Sequence, residues 1–169
     1  MPSENPVTPA QRRRRLQGLL AVALTVFLID QGSKYWLIHV LDVPAHAPMH
    51  LTRYFALLMA WNTGVSFSMF AHSASWMPSL LTAAALLISA LLVRLCLHSP
   101  HRFARLGYAL VIGGALGNAF DRLRFGAVAD FFYFHIGTLG WPAFNVADMA
   151  IVSGVGLLLF STVQHPARP

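Results

Sequence analysis

The sequence predicts an α-helical membrane protein built from four transmembrane helices with a small extracytoplasmic β-sheet. Three observations predict the membrane helices. Only 11% of the 169 residues are charged while 56% are hydrophobic, against about 25% charged in an ordinary soluble domain. Four long apolar stretches punctuate the chain. The bases gather at the ends of those stretches rather than in a stripe with interleaved aromatics. A water-soluble enzyme and a disordered chain are thereby disfavoured. Nucleic acid is not an expected partner, despite a net charge of +6, because the placement of the bases is that of a membrane protein.

The first apolar stretch runs from about Leu16 to Leu41, with Asp30 and Lys34 inside it, after a basic tail over residues 1–15. Arginines before an apolar run suit a signal peptide. No small-x-small cleavage site follows, however, and three further spans do, so the stretch reads as a retained helix. The second runs from about Trp76 to Leu97, the third from about Phe103 to Phe120 and the fourth from about Phe144 to Val163. Each is close to the roughly 20 residues that cross a bilayer, and together they form a single domain over residues 1–169.

Between spans, residues 42–75 are rich in aromatics, with Gly64 as punctuation, and short strands forming a sheet on the membrane surface are expected there. Residues 121–142 are expected to form an extracytoplasmic loop, with aromatics at headgroup level. Eight of the twelve bases lie at the amino end, in the middle loop and at the carboxyl end, and four (Lys34, Arg53, Arg122 and Arg124) lie on the opposite side. The excess of bases places both termini in the cytoplasm.

Carboxylates at apolar spans are the anomaly, because an Asp at the centre of a membrane helix costs about 2.5–3.5 kcal/mol on insertion scales. Asp30, Asp121, Asp130 and Asp148 all touch apolar spans and all map to the outer level. Solvated helix ends would explain any one of them; their convergence favours a shared site. Asp130 lies in Val128-Ala-Asp-Phe-Phe132 and Asp148 in Phe144-Asn-Val-Ala-Asp148. Two carboxyls brought together cannot both ionise cheaply, so one keeps its proton. Such a pair supplies a base to activate water and an acid to protonate a leaving amine. Asn118 and Asp121 are three apart and share a helix face, as do Asn145 and Asp148. Gly113 and Gly117 form a small-xxx-small pattern that permits close helix approach. Asp30 and Lys34 are four apart and read best as a structural ion pair.

Other chemistries fit poorly. There is no His-Glu-x-x-His, the eight histidines are scattered, and Cys96 is the one cysteine, so neither a metal nor another cofactor is expected. Gly64-Val-Ser66 resembles the Gly-x-Ser of intramembrane serine proteases, but no partner histidine sits on a later span. Cys96 follows Arg94 and Leu95, which is no lipobox. An ion-coupled transporter and a non-catalytic assembly factor are the readings from other classes.

The set Asp30-Gln-x-Ser-Lys34, Asn62-Thr-Gly64, Gly117-Asn-x-x-Asp-Arg122, Val128-x-Asp-Phe131 and Phe144-Asn-x-Ala-Asp148 resembles the bacterial lipoprotein signal peptidases (signal peptidase II), in order and over nearly the whole chain. The resemblance implies an aspartic endopeptidase of the bacterial inner membrane, with the small sheet and a short surface helix over the site. It implies Asp130 and Asp148 as the catalytic dyad, supported by Asp30, Lys34, Asn62, Gly64, Asn118, Asp121, Arg122 and Asn145. The implied substrate is a prolipoprotein carrying diacylglycerol on its lipobox cysteine, cut before that cysteine by a monomer in contact with membrane lipid. Members of the family are inhibited by the cyclic peptide globomycin. Two departures are small: Trp61 stands where a tyrosine is common, and Val65-Ser66 where two small residues are usual.

Overall fold

The computed structural model describes residues 7–64 and 76–164. Four helices in it are long and apolar enough to cross a membrane: α1 (Pro9–His39), α3 (Met77–His98), α4 (Arg102–Phe125) and α5 (Val146–Gln164). The chain is thus a multi-pass membrane protein. A short helix, α2 (Val43–His46), follows α1 and packs against the sheet. Val65-Ser66 and the Gly-x-Ser pattern that includes Ser66 lie outside the described residues.

Helix α4 is the hub. It packs against α1, α3 and α5, and its residues explain why. Gly107 and Gly154 face each other's helices, so a Cβ on either would meet the other's carbonyl oxygen at 2.7 Å. Gly114 lies directly on the Ala147 carbonyl of α5, and a Cβ at Gly113 would come within 2.7 Å of the Ala23 carbonyl of α1. The small-residue rows let backbones approach where lipid offers no hydrophobic drive. Larger apolar side chains such as Leu24, Leu28, Leu87, Val152 and Leu159 stay on the outer faces, where acyl chains would surround them.

Two expected boundaries move. Residues 9–15 belong to α1 rather than to a tail. Thr8 caps the helix, its Oγ1 accepting from the Gln11 amide at 3.3 Å while Gln11 Oε1 accepts from the Thr8 amide at 3.0 Å, and Pro9 stands in the first turn. This reciprocal box satisfies two orphan donors. Nor is the stretch 121–142 a loop. Its first five residues complete α4, which stops where Gly126 adopts φ +72°, the left-handed conformation that glycine takes most easily. The next residues form β3 (Val128–Ile136) and β4 (Leu139–Gly140).

The sheet therefore draws on both extramembrane segments. Its order is β1-β2-β3-β4, all antiparallel, with β1 (Met49–His50) and β2 (Phe55–Asn62) from the first segment. A register shift in β2 between Leu57 and Ala60 sets Asn62 opposite Val128 and Ala60 opposite Asp130. Beneath the sheet, Leu37, Val43, Leu57, Ala129 and Phe131 form a buried cluster that joins it to the end of α1.

Candidate active site

One contact outside the regular strands brings Asp130 and Asp148 together. Phe132 and Phe144 exchange backbone hydrogen bonds at 2.9 and 3.1 Å, and the Phe131 amide also donates to Phe144 O. The residue after this bridge, Asn145, opens α5. Its Oδ1 accepts from the Asp148 amide at 2.9 Å, and Asp148 Oδ2 accepts from the Asn145 amide at 3.2 Å. Asn145-Val-Ala-Asp148 is thus a capping box in which asparagine and aspartate take the usual roles of serine and glutamate. Asp148 sits in the first turn of α5, where its carboxylate caps the helix start.

Asparagine amides link the two acids. Asn145 Nδ2 donates to Asp130 Oδ1 at 2.7 Å and reaches Asn118 Oδ1 at 3.1 Å. Asn118 Nδ2 donates to Asp148 Oδ1 at 2.8 Å, and Asn62 Nδ2 approaches Asp130 Oδ2 at 3.3 Å. Asp130 is 3% exposed, whereas Asp148 is half-buried. Burial, and after it the repulsion of Asp148, lifts the Asp130 carboxyl from 3.8 to about 7, while the amides of Asn62 and Asn145 and the Lys34 ammonium pull the other way. Burial therefore favours the neutral form of Asp130.

A second cluster lies beside the pair. Lys34 Nζ contacts Asp30 Oδ2 and Asp121 Oδ2, both at 2.7 Å, and both acids are at most 1% exposed. Each acid also reaches a backbone amide next to the pair. Asp30 Oδ1 accepts from the Ala147 amide at 2.9 Å, adjacent to Asp148. Asp121 Oδ2 accepts from the Ala129 amide at 3.2 Å, adjacent to Asp130. The cluster thus ties α1 to the start of α5 and α4 to β3. The sequence placed Asp30 and Lys34 as a pair; the structure adds Asp121 as the second acid on the same ammonium.

Gln31 is the residue that sequence reasoning passed over. Its Nε2 donates to Asp121 Oδ1 at 2.9 Å and to Asp30 Oδ2 at 3.0 Å, giving these carboxylates a neutral partner in addition to Lys34. Its place in Asp30-Gln-x-Ser-Lys34 was the available signal. Gly117 is needed at close quarters too, since a Cβ there would stand 2.6 Å from Asp30 Oδ2. Gly64 closes the edge of the site. Its amide donates to Asn62 Oδ1 at 3.1 Å and its carbonyl lies 3.4 Å from Arg122 Nη2. Arg122 also reaches Asn118 O at 3.3 Å and lies within electrostatic range of Asp121, Asp130 and Asp148. All ten sequence-selected residues therefore belong to one connected network. Among the described residues, no group of three or more His, Cys, Asp and Glu has the arrangement of a metal site.

Comparison with known proteins agrees with this geometry. Residues 22–164 match the family described as Signal peptidase (SPase) II. A lipoprotein signal peptidase from Beijerinckia indica is 45% identical over 146 residues, covering 86% of each chain. One from Nitrobacter hamburgensis is 39% identical over 157 residues, covering 90% of this chain and 96% of that one. A solved structure described as a bacterial membrane enzyme, determined by the in meso method, superposes with a TM-score of 0.74 at 22% identity, covering 90% of this chain and 93% of that one. The chain belongs to the signal peptidase II family.

Proposed function

We propose that the chain removes the signal peptide from diacylglyceryl-modified prolipoproteins, cutting before the lipidated cysteine, and that Asp130 and Asp148 perform the hydrolysis. The observation that carries this reading is the asymmetry of the pair, which shares an asparagine cage while one acid is buried and the other caps a helix. Asp148, at the start of α5, is the base and takes a proton from water as it attacks the scissile carbonyl. Asp130, protonated, gives its proton to the departing amine, and the base's proton restores it for the next turn. Asn118 and Asn145 hold both acids in register, and Asn62 and Gly64 border the opening beside them. Asp30, Lys34, Asp121 and Arg122 position the elements that carry the pair.

The enzyme works in the bacterial inner membrane with both termini in the cytoplasm and the aspartates near the outer leaflet, an orientation supported by the eight-to-four division of bases. The proposed site needs no residue from a second copy, which supports a monomeric enzyme. Single cysteines in a Cys96→Ser background test the orientation. Thr52→Cys should react with an impermeant thiol reagent in intact spheroplasts and Ser99→Cys only after lysis; the reverse pattern would invert the topology.

Lipid recognition follows from the site's place beside apolar helix faces. Burial of acyl chain is worth about 0.8 kcal/mol per CH₂, so even part of two chains gives strong discrimination. Purified enzyme in detergent, given one prolipoprotein with and without diacylglycerol, should cleave the lipidated form at least about a hundredfold more efficiently. A ratio near one would mean that peptide alone is read, and the lipoprotein-specific reading would fail.

A further inference from the structure

At the end of the bundle away from the aspartates, α1, α3 and α4 enclose a cavity of about 310 Å³ lined by Arg14, Arg15 and Arg105 and by apolar surface from Gly18, Val22 and Leu106. Arg15 and Asp30 are separated by about 22 Å of helix rise, so this cavity is no part of the candidate active site. We infer that it is a binding site for an anionic glycerophospholipid, whose phosphodiester meets the three arginines while the start of an acyl chain lies along Gly18, Val22 and Leu106.

Two of the arginines are held in place, one by the last turn of α3 and one by the loop that follows it. Arg15 Nη1 donates to Leu97 O at 2.8 Å, and Arg105 Nη1 to Pro100 O at 2.7 Å and Ser99 O at 3.1 Å. These carbonyls neutralise no charge, and a guanidinium has five N–H donors, so each arginine keeps donors for a phosphate. Among the described residues none of the three forms an ion pair with an acid; the ion pairs found there are those of Lys34. Concentrated, uncompensated positive charge over an apolar slot between helices is complementary to a lipid with an anionic head. The floor is open as well: a Cβ placed on Gly18 meets no atom within 4 Å. A basic peptide segment, such as the charged start of a signal sequence, would be repelled by the same arginines. The volume lies at the small end of ligand pockets, which suits a headgroup and the first methylenes rather than a whole lipid.

Native mass spectrometry of the full chain in detergent, titrated with phosphatidylglycerol or phosphatidylcholine, tests the assignment. Each arginine at an anionic surface contributes about fivefold in partitioning, so phosphatidylglycerol should be retained at least about fivefold more tightly than phosphatidylcholine. The double variant Arg15→Gln/Arg105→Gln and, separately, Gly18→Leu should each abolish that preference. Gly18→Leu keeps every arginine and fills the slot, so it remains informative if the arginine variant fails to fold. Arg12→Gln/Arg13→Gln, with the same charge change outside the cavity lining, should leave the preference intact. Equal weakening by that control would reduce the effect to diffuse surface charge and overturn the site. So would an absent preference in the wild type. Displacement of the lipid by about 10 mM inorganic phosphate, with Gly18→Leu binding as the wild type does, would make the cavity a free-anion site and overturn the lipid assignment.

Discussion

Two pairs of aspartates stand side by side in this molecule, and their surroundings differ in a way that separates holding from chemistry. Asp30 and Asp121 share the Lys34 ammonium at 2.7 Å and are closed off by Gln31 and two backbone amides. Asp130 and Asp148 have no ion-pair partner among the described residues; they are joined by the neutral amides of Asn118 and Asn145. A cation shared by two buried carboxylates offsets their repulsion and holds both in place, which makes them struts. Neutral amides between two carboxylates leave the repulsion in place, and one acid answers by retaining its proton. The first arrangement maintains geometry. The second, in the proposed mechanism, supplies an acid and a base for hydrolysis.

The comparison can be broken in several ways, the largest effect coming from the pair itself. Asp148→Asn keeps the shape of the cap but removes the base, and cleavage of lipidated prolipoprotein should fall by about a thousandfold or more; turnover within tenfold of the wild type would end the proposed roles. The strut should answer in stability. Lys34→Met leaves two buried carboxylates facing each other, at a cost of about 3–5 kcal/mol, read as a large drop in thermal unfolding temperature in detergent. A Lys34→Met protein as stable as the wild type would show that the cluster is not a strut.

Gly117→Ala probes the join between the two regions. The new methyl displaces Asp30 from its place beside the Ala147 amide, with an expected loss of about 1–3 kcal/mol and a smaller loss of turnover than either dyad variant. Unchanged stability and turnover would mean that the strut tolerates displacement and does not position α5. The pH profile sharpens the comparison most gently. The folded state holds the Asp130 proton more tightly than the unfolded chain does, so its contribution to stability is full below about 4 and is lost as pH rises through about 7. Cleavage should decline over the upper part of the same window as the acid is lost. A rate that keeps rising well above 7 would place the proton elsewhere.

Much of this was readable from residue order, and the rest was hidden for physical reasons. The four helices are visible because apolar runs of bilayer length have few other uses. The aspartates are visible because carboxylates are expensive there. The start of α1 was also written in the chain as Thr8-Pro-Ala-Gln11, a capping signature obscured by the arginines that follow. β3 was not visible: its pairing with β2 joins residues 66 to 79 positions apart, and neither segment says which partner it will find. For the same reason the second acid on Lys34, Asp121, 87 positions along the chain, emerges only from the packing of α4 on α1. The arginine cavity likewise depends on Arg15 meeting the Leu97 carbonyl, a contact that local patterning does not specify.

The most direct test of the division between struts and chemistry is Asp130→Asn, measured for turnover and unfolding on the same preparation at pH 8. The amide removes a carboxyl that is costly to ionise there, so the variant should unfold at a temperature equal to or above that of the wild type while cleavage of lipidated prolipoprotein is lost. A variant that unfolds at markedly lower temperature and still cleaves would make Asp130 the strut, and would contradict the account at its centre.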